Sequence, residues 1–397
     1  MGNSQCYIEL EKKYGANNYK PLDVVIKKGK GIWLYDVEGK KYLDCLSSYS
    51  AVNQGHCHKR ILKVLTKQAK RLTLTSRAFR NDKLPLYYEK ICKVTGFDKV
   101  LPMNTGAEAV ETAIKAARKW GYVNKGIKYN QAEIIVCSEN FHGRTTTIIS
   151  FSTDEDSKNY FGPYTEGFKV VQYGDIEALR KAVNENTAAI MLEPIQGEAG
   201  IKIPYEGYLK DIREICNNNN ILMILDEIQT GLGRTGKLFA YEHENIKPDA
   251  VLVGKALSGG FYPVSAVLAN KGLLDVFNPG EHGSTFGGNP LACAVAMEAL
   301  DILFDEKLIE NSKVLGEYFI EKLKTINSPA IKEIRGKGLF IAIELFVKAR
   351  SYCEKLMAEG ILAKETHANI IRVAPPLVIN KRQIDFAFEK FKKVLES

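Results

Sequence analysis

The sequence holds no apolar run approaching the roughly 18 residues that a membrane-crossing helix needs, so no membrane partner is expected. Its eight cysteines form no C-x-x-C pair. Scattered thiols in a chain of this length suit a reducing compartment, and a cytoplasmic location is expected rather than a disulfide framework. Nor is there a block of about five or six like charges. The net charge of +8 is spread over interspersed acids and bases, which argues against nucleic acid as a partner. The opening MGNSQCYIELEKKYG lacks the apolar core of a signal peptide and the Arg-rich bias of a transit peptide. Gly2 is followed at position 6 by Cys6 rather than Ser or Thr, so myristoylation is not expected. No internal repeat is visible.

What is present is an ordinary globular balance, 45% hydrophobic and 26% charged over 397 residues, enough for more than one domain. Residues 1–30 are polar and read as a segment wrapping another part of the fold. Residues 31–39 and 41–45 read as a hairpin turning at Glu38-Gly39, and 47–55 as a loop. Helices are expected at 58–72 and 84–94. Short apolar strands then alternate with helical stretches: strands at 99–103, 134–138, 188–192, 221–225 and 250–253, helices at 107–120, 176–184 and 206–216. Such alternation predicts βαβ units and a mostly parallel sheet flanked by helices, the α/β class. Beyond Asn289-Pro290 come two long helices to about 325, strands at 339–345 and 370–373, and helices at 348–359 and from 381. The expected division is a large domain over 46–288, a smaller α+β domain over 289–397, and an N-terminal segment 1–45 packing with the smaller domain.

Three motifs mislead. Gly231-Leu232-Gly233-Arg234-Thr235-Gly236 matches the dinucleotide fingerprint G-x-G-x-x-G, but no amphipathic helix follows it and the strand before it ends in acids. The same stretch nearly matches a phosphate-binding loop, yet Leu238 occupies the place of the hydroxyl that would hold magnesium. His56-Cys57-His58 has no complementary Cys/His cluster at zinc spacing and reads as a loop entering a helix, so no metal is expected.

Reactive groups gather instead at strand ends, where open α/β sheets bind ligands. The strand at 250–253 is apolar throughout, and Lys255 follows it at the head of a glycine-containing loop. A lysine there is costly unless neutralised, paired or bonded. The strand at 221–225 runs into Asp226-Glu227. A carboxylate buried at the same edge as Lys255 needs a cation, and one such role is to keep a heterocyclic nitrogen protonated. Met103-Asn104-Thr105-Gly106 leads a strand into a helix whose first N–H groups and dipole offer a phosphate seat. Glu193 to Glu198 and Asn140 to Arg144 lie at two further strand ends. Each taken alone has a plain structural explanation: a lysine reaching solvent, an acid capping a turn, an ordinary helix start. Together, a phosphate seat, a pyridinium partner and an amine describe a site for pyridoxal 5'-phosphate. Lys255 would form an imine with the cofactor aldehyde. Desolvation and neighbouring positive charge would lower its pKa, so that it serves as nucleophile and later as base.

The run Asp226-Glu227-Ile228-Gln229-Thr230-Gly231, then Gly233-Arg234-Thr235-Gly236 and Lys255-Ala256-Leu257-Ser258-Gly259-Gly260, resembles the signature of the class III aminotransferases, fold-type-I enzymes that use pyridoxal phosphate. The resemblance covers nearly the whole chain. Within that class, Leu46 to His58, Asn18-Tyr19-Lys20-Pro21 and Ile371-Arg372-Val373-Ala374-Pro375-Pro376 are most similar to the ornithine δ-aminotransferases. This implies transfer of the δ-amino group of L-ornithine to 2-oxoglutarate, giving glutamate 5-semialdehyde and glutamate. It also implies that Lys255 carries the imine and Asp226 pairs with the ring nitrogen. Phe141 and Ile228 would sandwich the ring, and Gln229 would contact its phenolic oxygen. Thr105, Gly106 and Ala107 would bind the phosphate, the last two through backbone N–H groups. Thr285 would reach the phosphate held by the neighbouring subunit of a homodimer. Tyr19 and Arg144 would hold the α-amino and α-carboxylate ends of ornithine. Arg372 would bind the α-carboxylate of 2-oxoglutarate or glutamate, and Glu198 would cover Arg372 while ornithine reacts. Tyr49 would favour ornithine over glutamate. Position 142 departs from the pattern, with His142 where Trp or Tyr is more familiar. The nearest alternative is an acetylornithine or other ω-aminotransferase; Tyr19 and Tyr49 speak against it, because a blocked α-amine has no need of their pocket. A non-catalytic binding protein on the same fold would have no use for both Lys255 and Asp226.

Overall fold

Apolar runs too short for helices become the middle of a sheet, buried on both faces. In a computed structural model that describes residues 3–397, the strands Thr187–Leu192, Leu222–Asp226 and Ala250–Val253 are buried at every position. They lie side by side in a seven-stranded sheet of strand order 99–103, 265–269, 250–253, 222–226, 187–192, 133–137, 168–171. The strands run parallel except Ser265–Ala269, which is antiparallel to both its neighbours. The mostly parallel α/β sheet expected from the sequence is therefore present. Its carboxyl edge collects the loops after residues 103, 137, 192, 226 and 253.

Helix Gly106–Trp120 shows how one such loop is fixed. Thr105 caps it: its hydroxyl accepts from the Glu108 backbone N–H, and the Glu108 carboxylate accepts in return from the Thr105 N–H at 2.7 Å. The helix buries Ala109, Val110, Ala113, Ile114 and Ala117 against Ile134, Leu252 and Val267 of the sheet. Helix Pro290–Asp305 starts with proline in its first turn, and the Asn289 side chain accepts from Ala292 N at 2.8 Å. It is apolar on nearly all sides, as a helix enclosed by others must be.

Two four-stranded sheets complete the chain. Strands Ile26–Lys30, Trp33–Asp36 and Lys41–Asp44 form a meander, and Ile361–Leu362 joins its edge in parallel. The other sheet has the order 331–337, 340–345, 370–373, 364–366. Ala374 N donates to Cys45 O at 2.7 Å, which ties the two sheets together beside Arg372.

Several elements differ from the sequence expectation. Ser4–Tyr14 is a helix with no buried residue, so no apolar stripe announced it. Ile26–Lys30 and Ile331–Lys337 are strands with mostly exposed or half-buried positions, which hides the alternation that marks a strand. Phe168–Val171 is a four-residue edge strand, and Ser265–Ala269 is five residues without a long apolar run. Where a loop was expected, Ser47, Ser48, Tyr49 and Ser50 form a left-handed turn, with φ of 49, 49, 59 and 72°. The run costs about 1–2 kcal/mol per residue for L-amino acids. Asp44 helps hold it, with Oδ1 accepting from Leu46 N at 2.8 Å and from Ser47 N at 2.9 Å.

The misleading motifs have structural roles. Arg234 of the glycine run is fully buried and donates to Leu339 O, Pro375 O and Asn53 Oδ1, so it ties three segments together. Burial lowers its pKa to about 9. His56 meets Asp44 at 2.7 Å and His58 meets Glu306 at 3.1 Å, so the two histidines turn to different partners.

Candidate active site

The carboxyl edge of the sheet encloses a cavity of about 190 Å³ lined by Gly106, Ala107, Phe141, His142, Gly143, Glu193, Asp226, Ile228, Gln229 and Lys255. A cleft of about 360 Å³ shares Lys255 and Gly106 and continues past Thr105, Ser258 and Tyr262. Residues far apart in the chain, among them Asp226 and Lys255, are thus brought to one space.

Lys255 opens a short 3₁₀ turn with φ +44°, a left-handed conformation that a side chain adopts only when its surroundings impose it. Burial lowers its amine to about 8; the charge of Glu198 opposes that shift and Arg372 adds to it. The uncharged fraction a nucleophile requires is therefore far larger near neutrality than for an ordinary lysine, and reaches half at about pH 8.

Asp226 ends the strand Leu222–Asp226 and is buried. Its Oδ1 accepts from Ile228 N at 3.0 Å and its Oδ2 from His142 Nδ1 at 2.7 Å. Burial works against a charged His142, but the hydrogen bond and charge of Asp226 outweigh it and raise the imidazole pKa. His142, read from the sequence only as a departure near Arg144, is in fact the partner of Asp226. The neighbouring acid, Glu227, turns elsewhere: it accepts from Thr230 and from Tyr241 N, and burial raises its pKa to about 7.

The remaining expected residues fall into three groups. Gln229, Glu198 and Arg372 form one network. Arg372 Nη1 donates to Glu198 Oε1 at 2.9 Å, Nη2 donates to Gly197 O at 2.8 Å, and Gln229 Nε2 donates to Glu198 Oε1 at 2.8 Å. Burial would raise the Glu198 carboxyl, but the charge and hydrogen bond of Arg372, then Lys255 and Gln229, hold it at about 2. The Arg372 guanidinium lies 5.4 Å from the Tyr49 ring centroid. Tyr19 and Tyr49 line a second cavity of about 370 Å³ with Ser48, His56 and Lys364. Arg144 and Thr285 are exposed and line neither space that holds Lys255, although the Arg144 guanidinium lies 5.8 Å from the Phe141 ring.

The donor set fits pyridoxal phosphate. The first intrahelical bond here runs from Ala109 N to Thr105 O, so the Gly106 and Ala107 amides precede it at the positive end of the dipole. Position 106 is close-packed: a Cβ there would stand 3.0 Å from Ile228 Cδ1, on a wall of the cavity, so glycine leaves that wall undisturbed. Phe141 and Ile228 supply apolar walls, Asp226 an acceptor, and Lys255 an amine.

Comparison with known proteins agrees with this chemistry. The chain is 60% identical over 394 residues to an ornithine aminotransferase of Geobacillus sp. (strain WCH70), covering 99% of each. It is similar, with a TM-score of 0.98 and 46% identity over 99% of this chain and 94% of the other, to a structure of the ornithine aminotransferase from Toxoplasma gondii. That structure has pyridoxal phosphate at partial occupancy in its active site. The acetylornithine aminotransferase of Elizabethkingia anophelis matches with a TM-score of 0.93 and 54% identity over 100% of this chain and 99% of that one. The cofactor of this enzyme is pyridoxal 5'-phosphate. The family profile of class-III aminotransferases matches residues 14–395, and the chain belongs to that family.

Proposed function

We propose that the protein transfers the δ-amino group of L-ornithine to 2-oxoglutarate, yielding glutamate 5-semialdehyde and glutamate. The observation that carries this reading is the ion pair, at 2.9 Å, between buried Arg372 and half-buried Glu198. An enzyme that must take ornithine by its distal amine and later glutamate by its α-amine needs a carboxylate site that can be closed and reopened. A guanidinium covered by the chain's own carboxylate is such a site. Tyr49 over Arg372 and Tyr19 beside it support a pocket for an unblocked α-amine.

The bound cofactor supplies an electron sink for the bond to the departing proton. Lys255 holds and returns that proton through Nζ, which burial keeps near neutrality in pKa. Asp226, aligned by His142, would accept a hydrogen bond from the ring nitrogen and keep that nitrogen protonated. Phe141 and Ile228 would hold the ring, Gln229 its phenolic oxygen, and Thr105, Gly106 and Ala107 its phosphate. Arg144 and Tyr19 orient ornithine by its α-carboxylate and α-amine. Thr285, exposed and away from its own chain's cavity, serves the phosphate of a second subunit, so the working form is a homodimer. Residues 46–288 act as a large cofactor-binding domain and 289–397 as a smaller one carrying Arg372. Pairing of Lys41–Asp44 with Ile361–Leu362 supports packing of residues 1–45 on the smaller one. Among the described residues no helix is long and apolar enough to cross a membrane, in keeping with a cytoplasmic enzyme.

The 54% identity with an acetylornithine aminotransferase favours one second reading, in which the α-amine is blocked. Turnover of ornithine and N-acetylornithine with 2-oxoglutarate decides between them. Higher kcat/KM for ornithine supports the proposal, and preference for the acetylated amine rejects it.

A further inference from the structure

Glu193 directly follows the strand Thr187–Leu192 and is buried at the wall of the cofactor cavity, yet none of the roles above uses it. Its two oxygens reach two different loops. Oε1 accepts from Phe141 N and Oε2 from Gly197 N, each at 3.0 Å. Beyond Phe141 lies the segment that carries Arg144. Beyond Gly197 lies Glu198, and the Gly197 carbonyl itself accepts from Arg372. Both backbone polar groups of Gly197 are therefore held, its N–H by Glu193 and its carbonyl by Arg372. It is also wedged, since a Cβ at Gly197 would stand 2.6 Å from Gln229 Oε1.

We propose that Glu193 is a positioning residue that couples the loop Asn140–Arg144 to the Glu198–Arg372 switch, and so sets the choice between ornithine and glutamate as donor. This rests on the functional reading above. When Glu198 leaves Arg372, a peptide pinned at Gly197 N confines the movement to the Glu198 side chain. The loop stays in place, and Glu198 returns to the same contact after the keto acid has reacted. The other arm of the same carboxylate keeps Phe141, and with it the approach to Arg144, at a fixed distance from that switch. The link is a single buried side chain directly after a fully buried strand, and support anchored to such an element is more precise than support from a loop.

Glu193→Gln tests the link with almost no change in volume. The amide nitrogen of glutamine donates and cannot accept, so one of the two backbone N–H groups must lose its partner. Hydrogen exchange, read by mass spectrometry on peptides containing Phe141 and Gly197, should quicken about tenfold in at least one of them while the central strands are unchanged. The ratio of kcat/KM for ornithine to that for glutamate should fall about tenfold, since a loosened cover exposes Arg372 and a loosened loop weakens the grip on ornithine. Unchanged exchange at both peptides overturns the proposal. So does a donor ratio within about twofold of native, including an equal loss with both donors, which is what a merely structural residue gives. If Glu193→Gln does not fold, Glu193→Asp, which keeps two acceptor oxygens on a shorter stem, is read by the same criteria. Native protein without ornithine turnover would sink the functional reading, while the exchange measurement still decides the link.

Discussion

Arg372 Nη1 and Glu198 Oε1 stand 2.9 Å apart, so the guanidinium proposed to grip a substrate carboxylate already grips one that belongs to the chain. The carboxyl is held at about 2, below its ordinary value of 4.5. Its contribution to folding is therefore present above pH 4.5 and is lost as pH falls toward 2. At working pH the pair is fully charged, and only a competing carboxylate or a movement of Glu198 opens it.

Removing Glu198 should leave Arg372 open in both half-reactions. In Glu198→Ala, activity on glutamate-like donors rises about tenfold relative to ornithine. The check is kcat/KM for both donors in native and variant protein. An unchanged ratio removes the switch from the mechanism.

The lowered pKa of Lys255 sets a pH dependence. A lysine at about 8 gives a rate of coupling between apoprotein and pyridoxal phosphate that climbs with pH and levels above about 8. Formation of the absorbance band of the protonated imine reports it. A rate still rising steeply toward 10.5, the ordinary lysine value, contradicts the buried amine. Lys255→Ala should bind the cofactor without a covalent bond and lose turnover by about a thousandfold or more.

His142 supports Asp226 from behind. Its raised pKa means that the pair's contribution is fully present below pH 6.5 and is lost as pH rises through the raised value. In His142→Phe that pH-dependent part of stability disappears, and a buried oxygen of Asp226 loses its donor. Turnover should fall about tenfold, with faster loss of cofactor on dialysis. Native turnover and retention in the variant would show that Asp226 needs no such partner.

How far the sequence speaks depends on the kind of residue. The strand Ala250–Val253 and the lysine just past it were legible because four apolar residues, then Gly254 and one charged group, mark the end of a buried strand. Strand-end position also located Asp226 and the Gly106 helix start. The partnership of His142 with Asp226 was not legible, since the two are 84 positions apart and a lone histidine in a loop carries no directional signal. Glu193 was visible as a strand-end acid, but nothing local shows that its two oxygens bridge Phe141 and Gly197. Likewise the left-handed turn at Ser47–Ser50 has no glycine to mark it, and the Asp44 carboxylate that helps hold it gives no local signal in the sequence.

That turn gives a stability test. Ser48 is exposed with φ 49°, where glycine is at ease and β-branched residues are strained. Ser48→Gly should be at least as stable as native in thermal unfolding, and Ser48→Val less stable by about 1–2 kcal/mol. Equal stability of the two variants would mean that the turn relaxes away from the left-handed region.

The central claim is that the distal amine of ornithine moves and the proximal one stays. Ornithine labelled with ¹⁵N at the δ-amine, incubated with the holoenzyme and 2-oxoglutarate, should give glutamate that carries the label, while α-labelled ornithine gives unlabelled glutamate. Label arriving from the α-position, or none from either, would contradict the account.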